Sequence, residues 1–127
     1  MKELDDGDAR AVLAIQRLQA AYADSVTRRD WPAVRALFEP GAVVRLDTRT
    51  GDPFSFEGPD ALVEFIEGAI ARFAFFVFTI LKTTVDVTGD EATGRMYICE
   101  LRVDDEGSWS EAYGLYRDHY RLSLIHI

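Results

Sequence analysis

Cysteine, histidine and basic residues are scarce in this sequence. Cys99 is the only cysteine among 127 residues, so an internal disulfide is impossible, and no Cys/His group has the spacing of a zinc site. Acidic residues outnumber basic ones by 22 to 14, which gives a formal net charge of −8. Because the chain lacks the basic stripe that binds a phosphate backbone, we expect no nucleic-acid partner.

Long apolar runs are also missing. The most apolar stretch, residues 73–81, is too short to span a bilayer as a helix, and its Phe, Val, Ile and Thr content favours a strand in the core. Residues 1–8 are acidic and lack the apolar segment of a signal peptide. We therefore expect a cytoplasmic protein that does not contact a membrane.

The composition is that of one domain with a real core. Hydrophobic residues make up 48% of the chain and aromatic residues 12%. We expect a single domain over residues 1–122. Residues 123–127 follow the last predicted strand without a closing element, and we expect them to be a non-native or truncated tail.

Two helices are predicted at the start of the chain. From Asp8 to about Arg29, apolar residues recur every three or four positions, as in an amphipathic helix. Its apolar stripe consists of Val12, Ile15, Leu18, Tyr22 and Val26. Polar residues such as Gln19 lie largely elsewhere on the helix. Asp30 is a suitable N-cap for a short second helix that includes Leu37 and Phe38.

A third helix and two short strands come next. Residues 42–47 and 53–57 predict strands on either side of a polar loop at 48–52. Gly58-Pro59 begins the third helix. Its apolar stripe is predicted to contain Leu62, Phe65, Ile66, Ala69, Ile70 and Phe73.

The second half of the chain has the pattern of a β-meander. Longer strands are predicted near residues 76–88, 91–103 and 108–122, and turn signals separate them. Such short connections imply antiparallel neighbours. The sequence therefore predicts an α+β domain in which a curved antiparallel sheet wraps the first helix.

One face of the last predicted strand groups polar side chains. Alternation places Gly114, Tyr116, Asp118 and Tyr120 on the same face. On the preceding strand the same alternation gives Met96, Ile98, Glu100 and Arg102. An apolar environment would make an acid and two phenols a hydrogen-bonding and proton-transfer set, whereas an open surface would leave them solvated.

The order of several motifs resembles the SnoaL-like families of the nuclear-transport-factor-2-like superfamily. The matching segments are Ala21-Tyr22, Asp30-Trp31, and residues 37–42, 58–62, 87–93 and 116–121. The resemblance covers about residues 8–122. It implies a cone-shaped fold, with three N-terminal helices packed on a curved antiparallel sheet, that often forms dimers across the sheet. Functions in that superfamily include polyketide cyclases, dehydratases, isomerases, epoxide hydrolases and proteins with no known reaction.

Most catalytic residues of known relatives are replaced in this chain. The positions of five catalytic residues of scytalone dehydratase fall on Val26, Thr27, Leu46, Val77 and Arg102. In the same kind of comparison with ketosteroid isomerase, Tyr22 falls on the tyrosine that stabilises the oxyanion. The general-base aspartate falls on Leu46, and Asp47, one residue away, would point to the other face of a strand.

A polar pocket is expected if Tyr116 and Asp118 face the interior, because Tyr22, Glu100 and Arg102 would then join them. We predict Asp118 as a general base and Tyr22 or Tyr116 as the donor that stabilises an enolate oxygen. Arg102 near Glu100 or Asp118 would keep one carboxylate ionised. The expected substrate-binding residues are Glu100, Arg102, Trp31, Phe76, Phe78 and Met96. We expect no cofactor and no metal ion.

Structural roles for the same residues stay open. Tyr22 also suits a core position, where its ring packs and its hydroxyl reaches the edge of the core. Asp118 could form an ion pair with Arg102 or Arg121. Glu100 and Arg102 could form a solvated strand end next to the following turn.

Three functions remain open from the sequence. The first is a cofactor-free lyase or isomerase that acts on a small hydrophobic carbonyl compound. The second is a binding module for a small apolar ligand, without catalysis. The third is an association domain that forms a homodimer through the other sheet face, whose predicted residues are Tyr97, Cys99, Trp109, Tyr113 and His119.

Overall fold

A computed structural model describes residues 3–46 and 53–122. The elements in chain order are α1 (Asp6–Arg28), α2 (Trp31–Ala36), β1 (Val43–Leu46), β2 (Phe54–Glu57), α3 (Pro59–Ile70), β3 (Phe73–Thr88), β4 (Glu91–Asp104) and β5 (Trp109–Arg121). β1 and β2 form an antiparallel pair, while β3, β4 and β5 form an antiparallel sheet in that order. The predicted α+β class, with helices before the meander, is confirmed. The predicted loop at 48–52 and tail at 123–127 lie outside the described residues.

Side-chain caps and proline fix the start of the helices. The Asp30 carboxylate accepts a hydrogen bond from the backbone N–H of Ala33 at 3.3 Å, and Pro32 occupies the first turn of α2. α2 ends at Ala36, so Leu37 and Phe38 follow the helix instead of belonging to it. Phe38 is nevertheless buried.

No helix in residues 3–46 and 53–122 is long and apolar enough to cross a membrane.

The end of α1 is tied to the start of β3. Arg29 adopts a left-handed conformation with φ 58°, which stops the helix. Its guanidinium donates to the backbone carbonyl oxygens of Phe73 at 2.7 Å and Ile70 at 3.4 Å. The backbone N–H of Phe78 donates to the hydroxyl of Thr27 at 3.0 Å. These bonds fix the register of the long helix over the sheet.

An irregularity in β3 changes which of its side chains face the helix. The pairing with β4 shifts between Ile80 and Lys82, and such bulges bend a strand and change the direction of its side chains. From Phe75 to this shift, even-numbered residues point inward, whereas Phe73, before a further shift between Phe73 and Phe75, is buried at an odd position. After the shift between Ile80 and Lys82, odd-numbered residues point inward. The inward residues are Phe76, Phe78 and Ile80, then Thr83, Val85 and Val87.

The even-numbered residues of β4 and β5 point toward α1, as the alternation predicts. Met96 and Ile98 on β4 and Tyr120 on β5 are 1%, 4% and 1% exposed. Trp109 and Tyr113, at odd positions of β5, are 71% and 69% exposed. The sheltered face of the sheet is therefore the face that carries Tyr116 and Asp118.

The stripe predicted for α3 is partly wrong. The buried residues of α3 are Leu62, Val63 and Ile70, whereas Phe65 and Ala69 are exposed. Phe73 is buried but belongs to β3. Phe65 packs on Phe54 and Phe56 of β2, with ring centroids 6.2 and 4.9 Å apart. One side of α3 therefore packs against β2 instead of against the main core.

Candidate active site

Two tyrosines meet in the space between α1 and β5. The hydroxyl oxygens of Tyr22 and Tyr116 are 3.3 Å apart and share a hydrogen bond. Tyr22 comes from the buried stripe of α1, and Tyr116 from the inward face of β5. One hydroxyl donates to the other, so one phenolic proton of the pair stays available for another acceptor.

Aromatic rings surround this pair. The ring of Tyr22 makes edge-to-face contacts with Phe38 at 6.0 Å, Phe78 at 5.5 Å and Tyr116 at 5.8 Å between centroids. Phe78 also contacts Tyr116 at 5.6 Å. Such contacts fix the orientation of the phenols. The ring of Tyr22 is therefore packed against three other rings.

A carboxylate lies next to the phenols on β5. Asp118 follows Tyr116 by two residues on the same strand face, which separates their Cβ atoms by about 7 Å. Burial raises the pKa of Asp118, and a hydrogen bond from Tyr120 partly opposes that rise. The Tyr120 hydroxyl donates to Oδ2 of Asp118 at 2.9 Å.

Burial also keeps the phenols protonated. It raises the pKa of Tyr116 to about 12 and that of Tyr22 well above its ordinary value. The negative charges of Asp118 and Glu100 add to the rise for both phenols. The two hydroxyls are consequently hydrogen-bond donors at neutral pH, close to two carboxylates.

The second carboxylate belongs to an ion pair on β4. Oε1 of Glu100 lies 3.5 Å from Nη1 of Arg102, and both side chains are about three-quarters buried, with 25% and 21% exposed. Arg102 also donates to the hydroxyl of Ser110 at 3.1 Å and lies over the ring of Phe73 at 4.9 Å. Burial raises the pKa of Glu100, whereas Arg102 lowers it, and the rise is the larger effect.

In the described residues, neither a metal-binding group nor an open groove includes the phenol pair. Within residues 3–46 and 53–122, no group of three His, Cys, Asp or Glu side chains could hold a metal ion. An open groove of about 330 Å³ is lined by the outward residues Arg95, Arg117 and His119, and also by Gly94 and Asp118. Tyr22 and Tyr116 do not line that groove, so Asp118 is the member of the candidate site that borders it.

The SnoaL-like domain family matches residues 7–123. The chain belongs to the SnoaL-like family. A comparison with curated proteins finds no match.

Several solved structures share the fold of this SnoaL-like protein. A superfamily member from Salmonella enterica is 15% identical with a TM-score of 0.76, over 90% of this chain and 81% of that one. A protein of Novosphingobium aromaticivorans, provisionally named an aromatic ring hydroxylase, is 28% identical with a TM-score of 0.76, over 89% and 79%. Another from that organism, provisionally named a scytalone dehydratase, is 22% identical with a TM-score of 0.80, over 93% and 78%.

The fold of this SnoaL-like protein brings the predicted site residues together only in part. Tyr22, Tyr116 and Asp118 lie between α1 and the inward face of β5. Glu100 and Arg102 pair with each other. The predicted lining residues Phe76, Phe78 and Met96 are buried in the core, and Trp31 is partly buried against it.

The structure differs from two alternatives that the sequence left open, an ion pair of Asp118 and a solvated strand end at Glu100 and Arg102. Among the described residues, no cation lies within ion-pair distance of Asp118, because Arg102 pairs with Glu100 and Arg121 pairs with Glu39 at 3.4 Å. Glu100 and Arg102 are too buried to form a solvated strand end. The predicted ion pair of Asp118 is therefore replaced by a hydrogen bond from a phenol.

On the outward face of the sheet, His119 lies as expected. Its Nε2 is 3.6 Å from Glu91, and its side chain is 64% exposed. Cys99, which the sequence placed in an exposed interface, is 6% exposed and largely covered by its neighbours.

Gln19 is the residue of the site that sequence analysis missed. Its helical position suggested solvent, yet it is 1% exposed. Its amide nitrogen donates to the hydroxyl of Tyr120 at 3.0 Å, and its amide oxygen accepts from Thr83 at 2.8 Å. Gln19 is one turn from both Ile15 and Tyr22, so its spacing was the available signal.

Proposed function

We propose that this SnoaL-like protein catalyses acid–base chemistry on a small hydrophobic carbonyl compound, as a cofactor-free dehydratase, isomerase or cyclase. Asp118 is the base, and the paired hydroxyls of Tyr22 and Tyr116 stabilise the negative oxygen that forms. The proposal rests on one observation above all. A largely buried carboxylate, with no cation at ion-pair distance among the described residues, lies on the same inward face as two phenols, one of which keeps a free proton.

The proposed reaction begins with proton transfer from carbon. The carboxylate of Asp118 takes the proton from the carbon next to the carbonyl, and the C–H electron pair becomes the new C=C bond. The carbonyl oxygen gains the negative charge and accepts a hydrogen bond from a phenol. Return of the proton to another carbon gives isomerisation. Its transfer to a departing hydroxyl at the next carbon gives dehydration and releases water.

The ionic state of the side chains fits these roles. A raised pKa makes the ionised carboxylate of Asp118 a stronger base than that of an exposed aspartate. The raised pKa of each phenol leaves the proton on oxygen, where it can be donated. Glu100 is fixed by Arg102, so it is better suited to orienting a ligand than to accepting a proton.

Deuterium incorporation tests this function before a natural substrate is known. A panel of cyclic ketones and enones is incubated with the protein in D2O, and exchange at the carbon next to the carbonyl is followed by proton NMR. We expect Asp118→Asn to lower the exchange rate by about 100-fold, because it keeps the shape but removes the base. Asp105→Asn, at an exposed aspartate in the turn between β4 and β5, is the control.

Equal exchange by Asp118→Asn and the wild type would exclude Asp118 as the base. Saturable binding of a panel compound without any exchange would favour the non-catalytic binding module instead.

A second proposal concerns the other face of the sheet. Its exposed apolar side chains include Phe75, Trp109, Tyr113 and Leu115. The rings of Phe75 and Trp109 are 5.9 Å apart and form a continuous apolar surface. Because monomeric proteins rarely leave large apolar patches uncovered, we propose that a second copy of the chain covers this face.

A further inference from the structure

Four side chains form a directed hydrogen-bond chain that ends on Asp118. The hydroxyl of Thr83 donates to the amide oxygen of Gln19 at 2.8 Å. The amide nitrogen of Gln19 donates to the hydroxyl oxygen of Tyr120 at 3.0 Å. The Tyr120 hydroxyl donates to Oδ2 of Asp118 at 2.9 Å.

The direction of this chain follows from the number of donors and acceptors. Thr83 donates to the amide oxygen of Gln19, so the amide nitrogen of Gln19 faces Tyr120. Tyr120 accepts that bond and has a single proton left, which goes to Asp118. Gln19 and Tyr120 are each 1% exposed, so water does not compete for these bonds.

Gly94 makes room for the chain. It lies opposite Asp118 in the pairing of β4 and β5. A Cβ atom at this position would be 3.0 Å from a ring carbon of Tyr120 and 3.4 Å from the amide nitrogen of Gln19. Only a glycine lets the Tyr120 ring and the Gln19 amide approach the strand this closely.

We propose that Gln19 and Tyr120 are positioning residues that hold Oδ2 of Asp118 and leave its other oxygen, Oδ1, for the substrate. The inference rests on the proposed function for the role of Asp118 as a base. It adds that the hydrogen bond from Tyr120 orients the Asp118 carboxylate and favours its ionised form, and that Gln19 on α1 holds Tyr120 in place.

The surroundings of Asp118 show why such support matters. α1 contributes Gln19 and Tyr22, β3 contributes Thr83, β4 contributes Gly94 and Glu100, and β5 contributes Tyr116 and Tyr120. None of these groups is a cation. Arg95, Arg117 and His119 line the same groove as Asp118, and none of these three forms an ion pair with it among the described residues. Burial therefore raises the pKa of Asp118, and the hydrogen bond from Tyr120 is the interaction that lowers it.

A carboxyl carbon titration tests the inference without any substrate. Protein labelled with carbon-13 at the aspartate carboxyl carbons is titrated by NMR, and Asp118→Asn identifies the signal of Asp118. In Tyr120→Phe we expect the Asp118 midpoint to move up by about one pH unit, because a bond to the charged form is lost. Tyr113→Phe, which removes an exposed hydroxyl that donates to Glu111, is the control.

Gln19→Met keeps the inference testable if Tyr120→Phe does not fold. It preserves a long helix-compatible side chain and leaves Tyr120 without its anchor, so the Asp118 midpoint should again move up. A midpoint that moves no further in either variant than in Tyr113→Phe overturns the inference.

The deuterium exchange assay separates this inference from the proposed function. The ionised base is lost as the pH falls through its midpoint, so the low-pH limb of exchange should move upward with the NMR midpoint in Tyr120→Phe. A shifted NMR midpoint with an unmoved limb overturns the positioning role. Unchanged exchange in Asp118→Asn overturns the proposed function alone, because the titration still reports on the hydrogen-bond chain.

Discussion

At the scale of single residues, the phenol pair determines what the site can stabilise. Two hydroxyls 3.3 Å apart share one hydrogen bond, so one proton remains for a ligand oxygen. The aromatic contacts of Tyr22 with Phe38 and Phe78 limit its motion. The site is therefore suited to the negatively charged oxygen of a planar group such as an enolate.

A naphthol ligand tests this use of the phenols, because its planar phenolate oxygen resembles that of an enolate. We expect Tyr22→Phe and Tyr116→Phe each to weaken its binding by about tenfold, the usual effect of losing one hydrogen bond. Fluorescence titration of the naphthol measures the affinity. Tyr113→Phe should bind as the wild type does, and equal affinity in all three variants would place the ligand elsewhere.

Single residues also show which features of the site the sequence patterns predict and which they do not. Alternation correctly assigned Tyr116 and Asp118 to the sheltered face, because a strand has a strict period of two. Gln19 was misplaced because a helix wheel separates polar from apolar residues and gives no sign of a polar partner on another element. Its partners Thr83 and Tyr120 are 64 and 101 residues away.

At the scale of elements, β4 provides the position at which the sheet and α1 approach each other closely. Gly94 lies beneath Tyr120 and Gln19, where a side chain would collide. The pairing shift in β3 turns Thr83 inward toward the same amide. Local backbone features thus place the hydrogen-bond chain.

Two glycine substitutions test this role of β4. We expect Gly94→Ala to destabilise the protein by about 1–3 kcal/mol, because its Cβ would be 3.0 Å from Tyr120 and 3.3 Å from the Thr84 carbonyl oxygen. Gly68→Ala, in α3 with no atom within 4 Å, should instead stabilise it by about 0.5–1 kcal/mol. Urea unfolding gives both values. A Gly94→Ala protein as stable as the wild type would show that the close approach is dispensable.

Element boundaries were predictable where local chemistry defines them. The cap at Asp30 and the glycine before Pro59 marked two helix starts, and short turns marked the meander. The β3 shift at Ile80/Lys82 was not predictable, because it depends on pairing with β4. The exposure of Phe65 was missed because the sequence pattern does not show that Phe65 packs on β2 instead of in the main core.

At the scale of the whole molecule, the two faces of the sheet differ in what they offer. The inward face carries the polar set beneath α1. The outward face exposes Trp109 and Tyr113, and its covering by a second copy would remove this apolar surface from water.

Trp109→Glu tests the pairing of the outward faces. We expect the wild type to scatter light as twice the chain mass of 14.3 kDa, and Trp109→Glu as a single chain, because a charge would be buried in the interface. Leu13→Glu, at an exposed apolar position on α1, is the control and should keep the wild-type mass. Equal masses for wild type and Trp109→Glu across dilution would remove this face from any dimer.

The pH dependence of deuterium exchange, compared with the carboxyl titration of Asp118 in the same wild-type protein, tests the central claim most directly. A base works only when ionised, so exchange should fall as the pH drops through the Asp118 midpoint, which burial raises above the usual value. The account predicts that the two midpoints coincide. Exchange that continues undiminished below the Asp118 midpoint would contradict it.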